Sequence, residues 1–160
     1  MTHPSLGLPP IDRSSPLPPA AARVHANRER LAARALEIAL DRDPTMRDRH
    51  DALMVRRLLR DTLALTDRVV ETLADGNTDR AWAFAEATPP MYRRRRVPMG
   101  DLITLANAVR AAIGSMLPRE DLPLVDRAID VMIERFKWHG RIAGDARKRN
   151  RLLAAIYKGA

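Results

Sequence analysis

Residues 92–102, Tyr92-Arg93-Arg94-Arg95-Arg96-Val97-Pro98-Met99-Gly100-Asp101-Leu102, decide how this chain is read. Four consecutive arginines stand between Pro89-Pro90 and Pro98, and behind them Leu102, Leu105, Ala106, Val109, Ile113 and Met116 recur at helical spacing. Pro98 suits the first turn of that helix, because proline lacks the N–H that a first turn leaves unbonded anyway. The arginines then form a compact basic loop, set between helices and placed to offer charge to a partner.

Outward from this loop the same period repeats, with clear punctuation. A helix is expected from about Ala20 to Leu40, with Val24, Leu31, Ala35 and Ile38 on one stripe, closed at Asp43-Pro44 because a residue before proline is pushed out of helical geometry. A long second helix, capped by Thr45 and running to about Ala74, carries Leu58, Leu59, Leu63, Thr66, Val69, Val70 and Leu73 until Gly76-Asn77 stops it. Thr78 caps a short third helix holding Trp82 and Phe84, which Pro89-Pro90 breaks. After the helix entered at Pro98, Pro118 ends the stripe. A fifth helix from about Arg119 to His139 places Leu122, Val125, Ile129, Met132, Ile133 and Phe136 inward, and Gly140 to Gly144 loosen or end it. A last helix, about Asp145 to Tyr157, is basic at its start and apolar at Leu152, Leu153 and Ile156.

No alternating run bounded by hairpin signals occurs, and no repeat of fixed period. The chain is therefore expected to be all-α, a compact bundle of five to six helices over residues 20–160 with a core including Leu63, Val70, Leu105, Val109, Ile129, Ile133 and Phe136. At 160 residues it is long enough for one such domain. Residues 1–19 contain Pro4, Pro9, Pro10, Pro16, Pro18 and Pro19, which deny helix hydrogen bonds, so a disordered Pro-rich tail is expected. Leu6, Leu8, Ile11 and Leu17 within it are apolar residues that can dock on a partner, against the plainer reading of a solvated terminus.

Chemistry is narrowed mostly by exclusion. The chain has no cysteine, which removes disulfides, thiolate metal sites and cysteine nucleophiles. No apolar run approaches the roughly 20 residues that span a bilayer, and no secretory signal opens the chain; a cytoplasmic protein is expected. The histidines, His3, His25, His50 and His139, form no i, i+4 pair with one another. His139, beside Phe136 and Trp138, is the one candidate for a haem ligand, but Lys137 and Arg141 mark it as an exposed or hydrogen-bonded histidine near a helix end. Neither metal nor other cofactor is expected. Asp41 with Asp43, and Glu120 with Asp121, are close carboxylates that read better as helix caps than as an acid–base pair. No phosphate loop or activated serine is present, so the chain reads as non-enzymatic.

The net charge of +8 suits nucleic acid, an anionic membrane or an acidic protein alike. Candidate partner-binding residues are Tyr92, Arg93, Arg94, Arg95 and Arg96, with Arg147, Lys148, Arg149 and Arg151 in a second basic run. A regulatory or signalling role through protein–protein contacts, with a homodimer among the partners, is the first expectation. Nucleic-acid binding is the alternative: the same clusters can hold phosphates and Asn150 a base edge, although no helix-turn-helix is evident and no aromatics interleave with the basic residues. A structural role remains open beside both, in which the arginines bind helix ends and carboxylates inside the bundle or a dimer. A small-ligand or membrane-surface role is the remaining alternative.

The basic residue, Val97-Pro98, two further residues, then Asp101-Leu102, leading into a helix with Leu105 and Val109, resembles the globin-related, non-haem N-terminal sensor domains of bacterial stressosome co-antagonist regulators. The resemblance covers residues 28 to 143. It implies a globin-like bundle, dimerisation through long helices and a signal-receiving role without haem. Two departures are the basic terminal helix and the lack of an output domain after residue 160, so a signal would leave through protein contacts, as in a stand-alone adaptor.

Overall fold

A computed structural model describes residues 15–149, with side chains through Ile142. Among these residues the chain is all-α: helices α1 (Pro19–Ala26), α2 (Arg28–Arg42), α3 (Thr45–Arg49), α4 (Ala52–Asp75), α5 (Asp79–Ala87), α6 (Pro89–Arg94), α7 (Met99–Gly114) and α8 (Leu122–Arg149), with a 3-10 turn at Arg119–Asp121. No strand occurs among the described residues. Residues 1–14 of the expected tail lie outside the described residues. At its near end, Leu17 packs against the core.

Helix α4 is central, touching α1, α2, α5, α7 and α8, while α7 packs on both α2 and α8. Its interior face carries Leu58, Leu65, Val69, Val70 and Leu73. Thr62, Thr66 and Thr72 share that face because each hydroxyl donates to the carbonyl four residues earlier, at 2.7, 2.9 and 3.0 Å, so none of the three hydroxyls is left unpaired. Of the expected core residues, Val70, Leu105, Val109, Ile129, Ile133 and Phe136 are buried, whereas Leu63 is half-buried on the flank of α4. Leu59, also read as apolar stripe, is 38% exposed.

Several boundaries differ from the sequence reading. The first helix is two, because the chain bends at Asn27, whose backbone N–H turns back to Val24. The second is also two: α3 ends at His50 in an extended conformation, and Asp51 restarts the chain as the cap of α4, accepting the Met54 N–H at 2.7 Å. Pro89 and Pro90 do not leave a loop but open the short helix α6, where their missing donors carry no penalty. Gly76 ends α4 as expected, in the left-handed conformation that glycine adopts freely. Gly140 does not end α8. A glycine inside a helix costs only about 1 kcal/mol, and here Gly140 lies against the Met99 side chain, so packing carries the helix onward to Arg149. The separate last helix is thus, up to Arg149, a continuation of α8; residues 150–160, with Leu152, Leu153 and Ile156, lie outside the described residues.

Candidate functional site

The arginine segment is partly structural. Tyr92 is buried, not surface-exposed, with its phenol beside the carboxylate of Asp61 on α4, whose Oδ2 is buried without a hydrogen-bond partner. Arg95 reaches the same carboxylate at 3.5 Å. Burial pushes the Asp61 carboxyl above its ordinary range, a rise that Arg95 and Tyr92 partly offset. Burial and the neighbouring Asp61 charge push the Tyr92 phenol up in turn. Arg93, Arg94 and Arg96 are exposed and form no ion pair with a described residue.

The end of α6 explains why these arginines splay outward. Arg96 N–H bonds to the Arg93 carbonyl and Val97 N–H to the Tyr92 carbonyl, each at 3.0 Å, the paired bonds that close a helix through a left-handed residue. Val97 and Tyr92, at the positions that pack together in this motif, are both buried. Arg96 is the left-handed residue, at φ 58°, where glycine is the usual occupant.

Gly140 on α8 meets Met99, the first residue of α7, which follows the arginine segment in the chain. From there the backbone of α8 carries positions 147–149 onward, about 1.5 Å per residue. The side chains of Arg147, Lys148 and Arg149, and the whole of Arg151, lie outside the described residues.

A second surface, not foreseen from the sequence, lies between α5 and α8. Arg135 holds its guanidinium 4.3 Å from the Trp138 ring centre and 5.5 Å from that of Trp82. It donates from Nε to Glu86 Oε2 at 2.8 Å and also from Nη2, and His139 Nε2 lies 3.2 Å from the same oxygen. His139 is therefore buried against Glu86 inside a continuing helix, not at a helix end. Partial burial raises the Glu86 carboxyl, but the hydrogen bonds from Arg135 and His139 outweigh it and hold the group below its ordinary range. Trp82 and Trp138 stay 45% and 38% exposed, with Ile142 exposed beyond them. The signal in the sequence was there: Trp82 and Glu86 are four apart on α5, and Arg135, Trp138, His139 and Ile142 follow at helical spacing on α8. What it lacked was the pairing of those two helices.

A third cluster joins α3 to α7. His50 Nε2 lies 2.6 Å from Asp101 Oδ2, Arg49 Nη2 lies 2.7 Å from Asp101 Oδ1 and 2.7 Å from Asp43 Oδ2. Asp43 also accepts the Thr45 hydroxyl and backbone N–H, and these bonds with Arg49 keep its carboxyl below the ordinary range. Asp43 thus caps the turn into α3, in line with the sequence reading. The cluster is a closed clasp with its acceptors already used. Among the described residues no three metal-ligating side chains converge, and no helix is long and apolar enough to cross a membrane.

In comparison with known proteins the chain matches no protein-family model and no curated protein sequence.

Proposed function

We propose that this chain is a non-enzymatic regulatory protein of the signal-receiving kind, acting through protein–protein contacts, with a second copy of itself as the first partner. The observation that carries the reading is the Trp82–Arg135–Trp138 surface. Tryptophan and arginine dominate binding energy at protein interfaces, and rigid, preordered side chains lose little entropy on association. Arg135 is preordered by Glu86 and by both rings, and exposed Ile142 extends the apolar area along α8. Exposed charges of both signs border it, Glu134 beside Lys137 and Arg141, which suits a self-complementary contact across a two-fold axis. The all-α bundle and the long α8 also support the resemblance to globin-related stress-signalling sensor domains, in which such a helix joins two subunits.

Sedimentation analysis of the full chain tests this. The wild type is expected to dimerise at micromolar concentration, and Trp82→Ala with Trp138→Ala to shift it to monomer with helix content unchanged. A wild type that stays monomeric at high concentration, or a double variant that stays dimeric, would refute it.

A further inference from the structure

Contact between α6 and α4 creates a basic face that neither segment shows by itself. Arg95, just past the end of α6, lies 3.5 Å from Asp61, which brings that end of α6 to α4. Arg57 lies one helical turn before Asp61, and Arg56 and Arg60 lie next to it, one turn apart and about 6 Å along the axis. Arg56, Arg60, Arg93, Arg94 and Arg96 are exposed and Arg57 half-buried. None of these six forms an ion pair with a described residue, although Arg60 lies near enough to feel the Asp61 charge; Arg23, Arg30, Arg42, Arg119, Arg127 and Arg141 are also without one, but they are spread over α1, α2 and α8 and their flanks, while these six lie along α4 and the α6–α7 connection. The one carboxylate in their midst, Asp61, is buried and engaged by Arg95.

Arg96 adds an independent indication. It holds a left-handed conformation that a glycine would adopt without strain, and its exposed side chain repays nothing through a partner within the chain. Its guanidinium is free to meet a partner outside the chain.

We propose that this face, built from Arg56, Arg57 and Arg60 of α4 and Arg93, Arg94 and Arg96 of the α6–α7 connection, binds the phosphodiester backbone of a nucleic acid, without reading its sequence. Guanidinium forks match phosphate oxygens two at a time, and unpaired arginines need no internal ion pair broken before they bind. A protein partner fits less well, since six like charges with no tryptophan beside them would each need a carboxylate on the partner, and both tryptophans lie between α5 and α8. An anionic bilayer would need a continuous apolar face beside the charges, whereas α4 exposes only two large apolar side chains, Leu53 and Leu59. This site is separate from the surface assigned to self-association.

The test is fluorescence anisotropy of the full chain with a labelled generic DNA duplex and a single-stranded RNA, titrated with salt. Binding that weakens steeply is expected, with a log–log slope on duplex DNA of about −5 for six phosphate contacts. Arg56→Ala with Arg60→Ala, both exposed and predicted to leave melting unchanged, should flatten the slope by about 2 and weaken binding at least roughly tenfold, while Arg56→Lys with Arg60→Lys keeps the slope. Arg93→Ala with Arg94→Ala should do the same as the α4 alanine pair. No binding at low salt, binding indifferent to both alanine pairs, or capture by phosphatidylserine vesicles in place of nucleic acid would each overturn the proposal.

Discussion

His50 and Asp101, 51 residues apart in the chain, meet through Nε2 and Oδ2 at 2.6 Å in a site almost closed to solvent. His50 is the extended residue between α3 and α4, and Asp101 lies in the first turn of α7, where a carboxylate is favoured by the helix N-terminus. The pair therefore ties the start of the central helix to the start of α7. Replacing His50 with Ala leaves a buried carboxylate oxygen unpaired, and a loss of about 3 kcal/mol is expected. Denaturant unfolding checks it; an unchanged midpoint would mean that Arg49 alone satisfies Asp101.

Arg96→Gly should stabilise the fold by about 1 kcal/mol, because it removes the side-chain penalty of the left-handed conformation. Arg96→Ala keeps that penalty and should melt close to the wild type. A glycine variant less stable than the alanine one would show that position 96 is not strained.

Glu86 contributes to stability in a pH-dependent way. Its carboxyl is held below the ordinary value of 4.5 by Arg135 and His139, so its contribution is fully present above that pH and is lost as pH falls through the lowered folded value. Glu86→Gln should accordingly melt lower than the wild type at neutral pH, and the gap should close as the solution is acidified below about pH 4. A gap constant from neutral to strongly acid pH would count against the ion pair.

In the core, Ile129→Ala and Phe136→Ala should each cost about 2–5 kcal/mol, since both side chains are fully enclosed. Leu63→Ala, at a half-buried position, should cost clearly less. Equal losses at all three would contradict the placement of Leu63 on the flank of α4.

Helical period, proline and glycine were enough to read an all-α chain and most of its inward stripe, because burying an apolar face is a property of each helix and repeats along its own sequence. They also placed the stop at Gly76 and the helix behind Pro98. The breaks at Asn27 and His50 were not legible, since no proline or glycine marks them and the second is held by Asp101 from a distant helix. Gly140 was misread for the converse reason: a weak local preference yielded to packing against Met99. The four arginines were visible as a run, yet only the tertiary structure separated Arg95, spent on Asp61, from its outward neighbours, and only it brought that run to α4, one turn from Arg57. The same holds for Trp82 and Trp138, which meet across one arginine because α5 packs on α8. Local patterns determine which residues turn inward; which outward residues become neighbours depends on how helices far apart in the chain pair, and no local period records that.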